Sequence, residues 1–133
     1  MDKTKILIVD DNRSVTNICR KLLEFAGPFI VREVNAGLHA VSAAREFQPK
    51  IILLDLEMPD RSGDEIIPEL LGEPMLAETN IVLISGLMNR RTSAGKDVLT
   101  GLPVLPKPIE PGDLLRKVEE LLRPRVPRPV NAA

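Results

Sequence analysis

Five short aliphatic runs, alternating with segments of helical spacing, constrain the fold of this chain more than any other feature. Four of the runs are rich in Ile, Val and Leu with little polar alternation, as in strands that are buried on both faces. Strands of this kind belong to parallel sheets, so the alternation predicts a doubly wound, three-layer α/β domain. The five runs are residues 5–10, 29–34, 50–55, 80–85 and 102–107.

The segments between the runs carry apolar side chains at the spacing of amphipathic helices. The first apolar stripe is followed by Gly27 and Pro28 and the second by Pro49, which are ordinary places for a helix to end. A third helix is expected to begin near Gly63, although Pro68 removes one of its backbone donors. The apolar stripes are Val15, Ile18, Cys19, Leu22 and Leu23; Leu38, Val41, Ala44 and Phe47; and Leu114, Leu115, Val118, Leu121 and Leu122.

The segment 88–99, MNRRTSAGKDVL, is the least favourable of the expected helices. Asn89, Thr92, Ser93 and Gly95 are weak helix formers, and a glycine alone costs about 1 kcal/mol relative to alanine. Because strand and helix alternate along the rest of the chain, we still expect a fourth helix here, followed by a fifth.

Composition narrows the class of protein. The 133 residues suit one domain, and 44 % of them are hydrophobic, which is enough for a core. A net charge of −1 gives no reason to expect nucleic-acid binding, and no apolar run is long enough to cross a membrane. The N-terminus lacks the apolar core of a signal peptide, and the single Cys19 excludes an internal disulfide, so we expect a soluble, cytoplasmic protein. A domain is predicted over 1–123, and a tail or linker rich in proline and arginine over 124–133.

Charged and polar side chains stand at the carboxyl ends of the predicted strands. They are Asp10 and Asp11 after strand one, Asp55 on strand three, Ser85 on strand four and Lys107 on strand five. The functional crevice of an open parallel sheet lies at this edge, where the strand order reverses. If strands one and three are neighbours, three carboxylates crowd one corner and need a cation between them. Oxygen ligands without histidine or cysteine favour Mg²⁺, and Lys107 supplies a second positive charge.

A carboxylate beside Mg²⁺, a hydroxyl and a lysine can act as a nucleophile toward phosphorus, as in aspartyl phosphates. Asp55 ends a buried strand, which holds it rigidly at the mouth of the crevice, so we expect Asp55 to be this nucleophile. Mg²⁺ and Lys107 would neutralise charge on the moving phosphoryl group, and Ser85 would donate a hydrogen bond to one of its oxygens.

Four motifs, in this order and spacing, resemble the receiver domains of two-component response regulators. The motifs are ILIVDDN, ILLDLEMPDRSG, LIS and PKP, and the resemblance covers about residues 4 to 123. It implies a flavodoxin-like fold with strand order 2-1-3-4-5, in a signalling module that catalyses only its own phosphorylation and dephosphorylation. It also implies that Asp55 accepts a phosphoryl group from a histidine kinase or a phosphotransfer protein, and that Ser85 and Lys107 contact that group.

The resemblance implies a metal site as well. Asp11 and Asp55 would ligate Mg²⁺ directly, together with the backbone carbonyl of Glu57, while Asp10 would assist through water. The sequence leaves the role of the Glu57 side chain open.

The same resemblance implies an output surface formed by helix four, strand five and helix five. This surface would meet a second copy of the chain or a downstream output domain or protein. The family usually places an aromatic switch residue three positions before the lysine, where this chain has Val104. We therefore expect the signal to pass through Ser85, the loop 86–88 and the ordering of helix four.

Simpler interpretations stand beside these. Asp10 and Asp11 alone could be a helix N-cap, and Arg90 and Arg91 are expected to be solvated. A phosphatase of the haloacid-dehalogenase type needs a second aspartate two residues after its nucleophile on strand one, but residue 12 is asparagine. A receiver-like scaffold that signals without phosphorylation is opposed by the complete set of acidic, hydroxyl and lysine residues, although Val104 keeps it open.

Overall fold

A computed structural model of the chain describes residues 2–124. Five strands and four α-helices alternate except between β4 and β5, and short 3-10 turns occur at Gly37–His39, Pro74–Leu76 and Met88–Arg90. The strands and helices are β1 (Thr4–Val9), α1 (Arg13–Ala26), β2 (Phe29–Val34), α2 (Ala40–Phe47), β3 (Ile51–Asp55), α3 (Gly63–Leu71), β4 (Asn80–Ser85), β5 (Val104–Pro106) and α4 (Pro111–Leu122). Of the predicted tail 124–133, only Pro124 falls within the described residues.

The sheet has the order β2-β1-β3-β4-β5, and all four pairs of neighbouring strands are parallel. The prediction of a doubly wound sheet with order 2-1-3-4-5 is therefore confirmed. β3 lies at the centre with all of its residues buried, between β1 and β4. Because β1 and β3 are neighbours, the residues that follow them meet at one edge of the sheet.

Side chains that alternate along the strands fill two separate cores, one on each face of the sheet. Leu7 and Val9 of β1 point to the core under α2 and α3, whereas Ile6 and Ile8 point to the core under α1 and α4. Each fully buried aliphatic side chain contributes about 1.5–3 kcal/mol through the hydrophobic effect. The predicted stripes do not all lie in these cores, because Ile18 of α1 is 63 % exposed and Leu38 is 67 % exposed.

The prediction of a helix over 88–99 is wrong. After the 3-10 turn at Met88–Arg90, the chain makes isolated bridges between Arg91 and Asp97 and between Lys96 and Pro103. Gly95 and Gly101 both have φ of +75°, a conformation that an L side chain rarely adopts and that no α-helix contains. The expected five helices are therefore four, and the connection from β4 to β5 is an irregular segment, 86–103.

A polar cluster centred on the buried Asp97 organises segment 86–103, where a helix would use an apolar face. The carboxylate of Asp97 accepts hydrogen bonds from the Arg90 guanidinium at 2.8 Å and from both the backbone N–H and the hydroxyl of Thr100. Arg90 also pairs with Asp64 of α3, with nitrogen–oxygen distances of 2.8 and 2.9 Å. The Arg90 bond, together with those from Thr100, lowers the pKa of Asp97 to about 2 despite its burial. The expectation that Arg90 is solvated is thus wrong, because Arg90 ties this segment to α3.

Among residues 2–124, no helix combines the length and the apolar composition that crossing a bilayer requires.

Candidate functional site

The carboxyl edge of the sheet brings three carboxylates together. Asp10 follows β1 directly, Asp11 comes next in the loop to α1, and Asp55 is the last residue of β3. One carboxylate oxygen from each of the three lies within 4.8 Å of the other two. Asp10 and Asp55 are buried and Asp11 is exposed, so the cluster opens to solvent on one side.

Asp55 is held by one of its oxygens and leaves the other free. Its Oδ1 accepts a hydrogen bond from the backbone N–H of Glu57 at 3.1 Å and lies 2.7 Å from the ammonium nitrogen of Lys107. Its Oδ2 is buried and has no hydrogen-bond partner among the described residues. A buried carboxylate oxygen without a partner is costly, so the arrangement favours a ligand that satisfies it. A set of hard carboxylate oxygens without nitrogen or sulfur fits a cation such as Mg²⁺.

The pKa of Asp10 is raised by its position in the cluster. Burial is the main reason why its pKa rises from 3.8 to about 6, and the charge of Asp55 raises it further. The hydrogen bond from the backbone N–H of Asn12, at 2.9 Å, and the charge of Lys107 act in the opposite direction. Asp10 and Asp55 thus place two like charges close together at buried positions, as expected where a cation binds.

The N-cap of α1 is Asn12, so the simpler interpretation of Asp10 and Asp11 as its cap is wrong. The Oδ1 atom of Asn12 accepts hydrogen bonds from the backbone N–H groups of Ser14 and Val15 at 3.0 and 3.2 Å. Because asparagine meets the need of the helix, both carboxylates remain available for another partner.

Lys107 reaches the site from the loop after β5. Its backbone N–H donates to the carbonyl oxygen of Ser85 at 3.0 Å, and the peptide to Pro108 is cis. Partial burial lowers the pKa of Lys107, but the hydrogen bond and charge of Asp55, with smaller contributions from Asp10 and Glu57, outweigh it and leave the pKa raised. Lys107 is therefore a fixed positive charge beside Asp55.

Ser85 and Gly86 bind the side chain of Glu57. The Ser85 hydroxyl donates to Glu57 Oε1 at 3.2 Å, and the backbone N–H of Gly86 donates to the same oxygen at 2.8 Å. The Ser85 oxygen in turn accepts from the backbone N–H of Leu87 at 3.0 Å. The sequence left the Glu57 side chain open, since nothing in a loop sequence fixes the direction of a long side chain.

The loop that follows Asp55 is fixed by two residues that sequence reasoning missed. Asp60 accepts hydrogen bonds from the backbone N–H groups of Gly37 and Leu38 at 3.1 and 3.0 Å, which ties the loop to the 3-10 turn before α2. Gly63 packs so closely that a Cβ would lie 2.9 Å from the backbone oxygen of Asp55 and 2.7 Å from Leu56 Cδ2. The glycine in the DRSG motif was the available signal for this close approach.

A second polar network supports the loop that carries Asp10. The side-chain amide of Asn35 donates to the backbone oxygen of Asp10 at 2.8 Å and to the hydroxyl of Thr16 at 3.0 Å. Thr16 is fully buried and donates to Glu33 at 2.7 Å. These bonds hold the β1–α1 loop against β2, and sequence spacing gave no sign of them.

An apolar groove of about 620 Å³ opens beside the carboxylates, between α1 and the loop before α4. Val15, Ile18 and Cys19 form one wall, and Pro108 and Ile109 form the other. Asp10, Asp11 and Lys107 lie at its end. Burial raises the pKa of the Cys19 thiol to about 11, so this cysteine acts as part of the apolar wall.

Comparison with known proteins relates this geometry to a family. The family model described as the response regulator receiver domain matches residues 6–119. A nitrate/nitrite response regulator protein homolog of Haemophilus influenzae is 30 % identical over 129 residues, which cover 94 % of this chain and 60 % of that protein. A protein-glutamate methylesterase/protein-glutamine glutaminase of Halobacterium salinarum is 31 % identical over 91 residues, which cover 68 % of this chain and 25 % of that protein.

A solved structure agrees at the level of the fold. The chemotaxis response regulator CheY4 of Vibrio cholerae superposes with a TM-score of 0.78, at 22 % identity, and the match covers 90 % of this chain and 99 % of that one. The chain spans only part of the length of the two curated relatives named above, 60 % of the first and 25 % of the second.

Proposed function

The chain belongs to the response regulator receiver family, and from that premise we propose that Asp55 accepts a phosphoryl group from a histidine kinase or a phosphotransfer protein. The observation that carries the proposal is the state of the Asp55 carboxylate. One of its oxygens is paired with Lys107, and the other is buried without a hydrogen-bond partner among residues 2–124. Because the contact with Lys107 fixes the position of the carboxylate, one of its oxygens is held ready to attack phosphorus.

In the transfer, a carboxylate oxygen of Asp55 attacks phosphorus and forms the new oxygen–phosphorus bond. The bond between phosphorus and the imidazole nitrogen of the donor breaks, and the nitrogen keeps the electron pair and takes up a proton. Lys107, next to Asp55, offsets the negative charge on the phosphoryl oxygens. Ser85 and the backbone N–H of Gly86 are donors at the same edge for one of those oxygens.

We propose that the acidic cluster holds Mg²⁺ through Asp11, Asp55 and the backbone carbonyl of Glu57, with Asp10 assisting. The support is the convergence of the three carboxylates and the raised pKa of Asp10, which reflects burial among like charges. When bound, Mg²⁺ would neutralise charge on the transferring group. We expect the phosphorylation of Asp55 to require it.

We propose that the donor protein docks against the apolar groove beside the site. Its apolar walls, which include Val15 and Ile109, end at Lys107 and the carboxylates, so a partner seated there would place a reactive group next to Asp55. Ile18 at this groove is 63 % exposed, and a partner seated in the groove would bury it.

We propose that output uses the surface formed by segment 86–103, β5 and α4, with a second copy of the chain or an output domain or protein as partner. This surface lacks the helix expected there, and it exposes Met88 and Leu99 to 83 % and 71 %. Residue 104, which is buried, is a valine, so this position has no aromatic ring whose rotation could report phosphorylation. The division into 1–123 and 124–133 and a cytoplasmic location remain predictions.

Incubation with acetyl phosphate and Mg²⁺, followed by intact mass measurement, tests the proposal. The wild-type chain should gain the mass of one phosphoryl group, and chelation of the metal should prevent the gain. Asp55→Asn should not gain mass, whereas Asp60→Asn, which keeps the nucleophile, should. An undiminished gain in Asp55→Asn would refute the assignment of the phosphorylated residue.

A further inference from the structure

We propose that the carboxylate of Glu57 is a built-in competitor of the phosphoryl group for the hydrogen-bond donors of Ser85 and Gly86. In the unphosphorylated protein the carboxylate occupies both donors, and phosphorylation of Asp55 has to displace it. The proposal rests on the proposed function of Asp55. It assigns the Glu57 side chain a part in setting how readily the phosphorylated state forms.

Both donors converge on one atom. Glu57 Oε1 accepts from the Ser85 hydroxyl at 3.2 Å and from the backbone N–H of Gly86 at 2.8 Å. A hydroxyl and a neighbouring backbone N–H that point to one anionic oxygen form the kind of binding site that a phosphoryl oxygen uses. The Glu57 carboxylate therefore satisfies, within the chain, a site that suits the anion formed on Asp55.

The two occupants exclude each other at Ser85. A hydroxyl carries one proton, and the Ser85 oxygen already accepts a hydrogen bond from the backbone N–H of Leu87 at 3.0 Å. The single proton is directed to Glu57, so it cannot be donated to a phosphoryl oxygen at the same time. The negative charge of a phosphorylated Asp55 would also repel the Glu57 carboxylate.

The backbone of Glu57 keeps this competitor next to the reacting group. Its N–H donates to Asp55 Oδ1 at 3.1 Å, so the same residue contacts the acceptor carboxylate through its backbone and Ser85 through its side chain. Glu57 is exposed, and its side chain can swing into solvent when it is displaced. Breaking its two charge-assisted bonds opposes phosphorylation, and their return after loss of the phosphoryl group favours the resting state.

The affinity for beryllofluoride, a phosphoryl mimic, measured at saturating Mg²⁺ tests the proposal. Glu57→Ala frees both donors and should bind beryllofluoride about tenfold more tightly than wild type, which corresponds to about 1.4 kcal/mol. Glu57→Gln keeps an acceptor oxygen without the charge, so its affinity should lie between the two. Glu78→Gln removes an exposed carboxylate that precedes β4, at the end of this strand opposite Ser85, and should bind as wild type does.

The amide proton resonance of Gly86 in the metal-free proteins gives a second measurement that does not depend on phosphorylation. It should shift upfield in Glu57→Ala, where the bond to the carboxylate is lost, and remain unchanged in Glu78→Gln. Equal or weaker beryllofluoride binding by both Glu57 variants, or an unmoved Gly86 resonance in Glu57→Ala, would overturn the inference. Failure of the wild-type chain to bind beryllofluoride would instead overturn the proposed function itself.

Discussion

Asp10 is the residue at which stability and the proposed function oppose each other. It is buried beside Asp55, and burial together with that neighbouring charge raises its pKa to about 6. The charged form, which would assist a bound cation, is therefore destabilised in the metal-free protein. Sites that hold like charges for function commonly gain stability when one charge is removed.

We expect Asp10→Asn to increase the free energy of unfolding of the metal-free protein at neutral pH by about 1–2 kcal/mol. The amide oxygen can still accept the hydrogen bond from the backbone N–H of Asn12, so the loop should keep its conformation. Chemical unfolding in the presence of a chelator measures the gain, and Mg²⁺ should stabilise the variant less than wild type. A loss of stability in Asp10→Asn would mean that its carboxylate is well compensated without metal.

Gly63 is the residue that lets α3 begin directly against the end of β3. We expect Gly63→Ala to destabilise the fold by about 1–3 kcal/mol, because its Cβ would overlap the backbone of Asp55 and Leu56. Gly112→Ala, on the first turn of α4, is the matched control, because its Cβ would meet only the flexible end of Arg116 at 3.4 Å. Thermal unfolding of both variants tests this, and equal stability of the two would contradict the packing argument.

Segment 86–103 shows how a chain makes a crossover without a helix. Two glycines with positive φ turn the backbone, and the Arg90–Asp97 pair supplies a polar centre that is anchored on α3 through Asp64. Hydrogen bonds to a buried carboxylate such as that of Asp97 stabilise more than surface ion pairs do. We therefore expect this segment to be ordered by side-chain contacts and not by helix propensity.

We expect Asp97→Asn to lower the free energy of unfolding by about 1–2 kcal/mol at pH 5, and by less as the pH falls toward 2. The pKa of Asp97 is lowered from 3.8 to about 2, so its contribution is complete above 3.8 and is lost as the folded protein takes up this proton. Urea unfolding across this pH range measures the difference between wild type and variant. Asp113→Asn is the control, because the carboxylate of Asp113 pairs with Arg116 on α4. A difference in the free energy of unfolding between wild type and Asp97→Asn that stays constant down to pH 2 would contradict the account.

The helices differ in how far the sequence predicts them. α1 and α4 carry apolar stripes that pack on one core, so spacing alone located them. The same reasoning failed for the segment after β4 because polar contacts hold it together, and one of them, between Arg90 and Asp64, joins residues that are distant in sequence. The low helix propensity of Gly95 argued against a helix, but the alternation of strands and helices along the rest of the chain led to the prediction of one.

The candidate site also has a part that the sequence predicts and a part that it does not. Positions at strand ends follow from the order of the strands, so the convergence of Asp10, Asp11 and Asp55 could be predicted from the sequence. The contacts of Glu57 and Asp60 could not, because they depend on how two loops meet in space. Propensity and periodicity carry no information on such loop-to-loop bonds.

In the whole molecule, Asp55 lies at the end of the central strand of the sheet. β3 is buried along its full length and pairs with β1 and β4, so Asp55 stands on the part of the sheet that is most resistant to opening. The groove is lined by residues of α1 and of the loop 107–109, whereas the exposed Met88 and Leu99 belong to segment 86–103, so the two surfaces share no residue. This arrangement would let one partner deliver a phosphoryl group while another reads the result.

Chemical trapping of the phosphorylated residue tests the central claim most directly. Borohydride reduces an acyl phosphate to an alcohol, so an aspartyl phosphate becomes homoserine at its own position in the chain. After incubation with acetyl phosphate and Mg²⁺, reduction and peptide mass mapping should find homoserine at position 55 and at no other aspartate. Homoserine at position 10 or 11, or its absence from a chain that has gained a phosphoryl group, would contradict the assignment of Asp55.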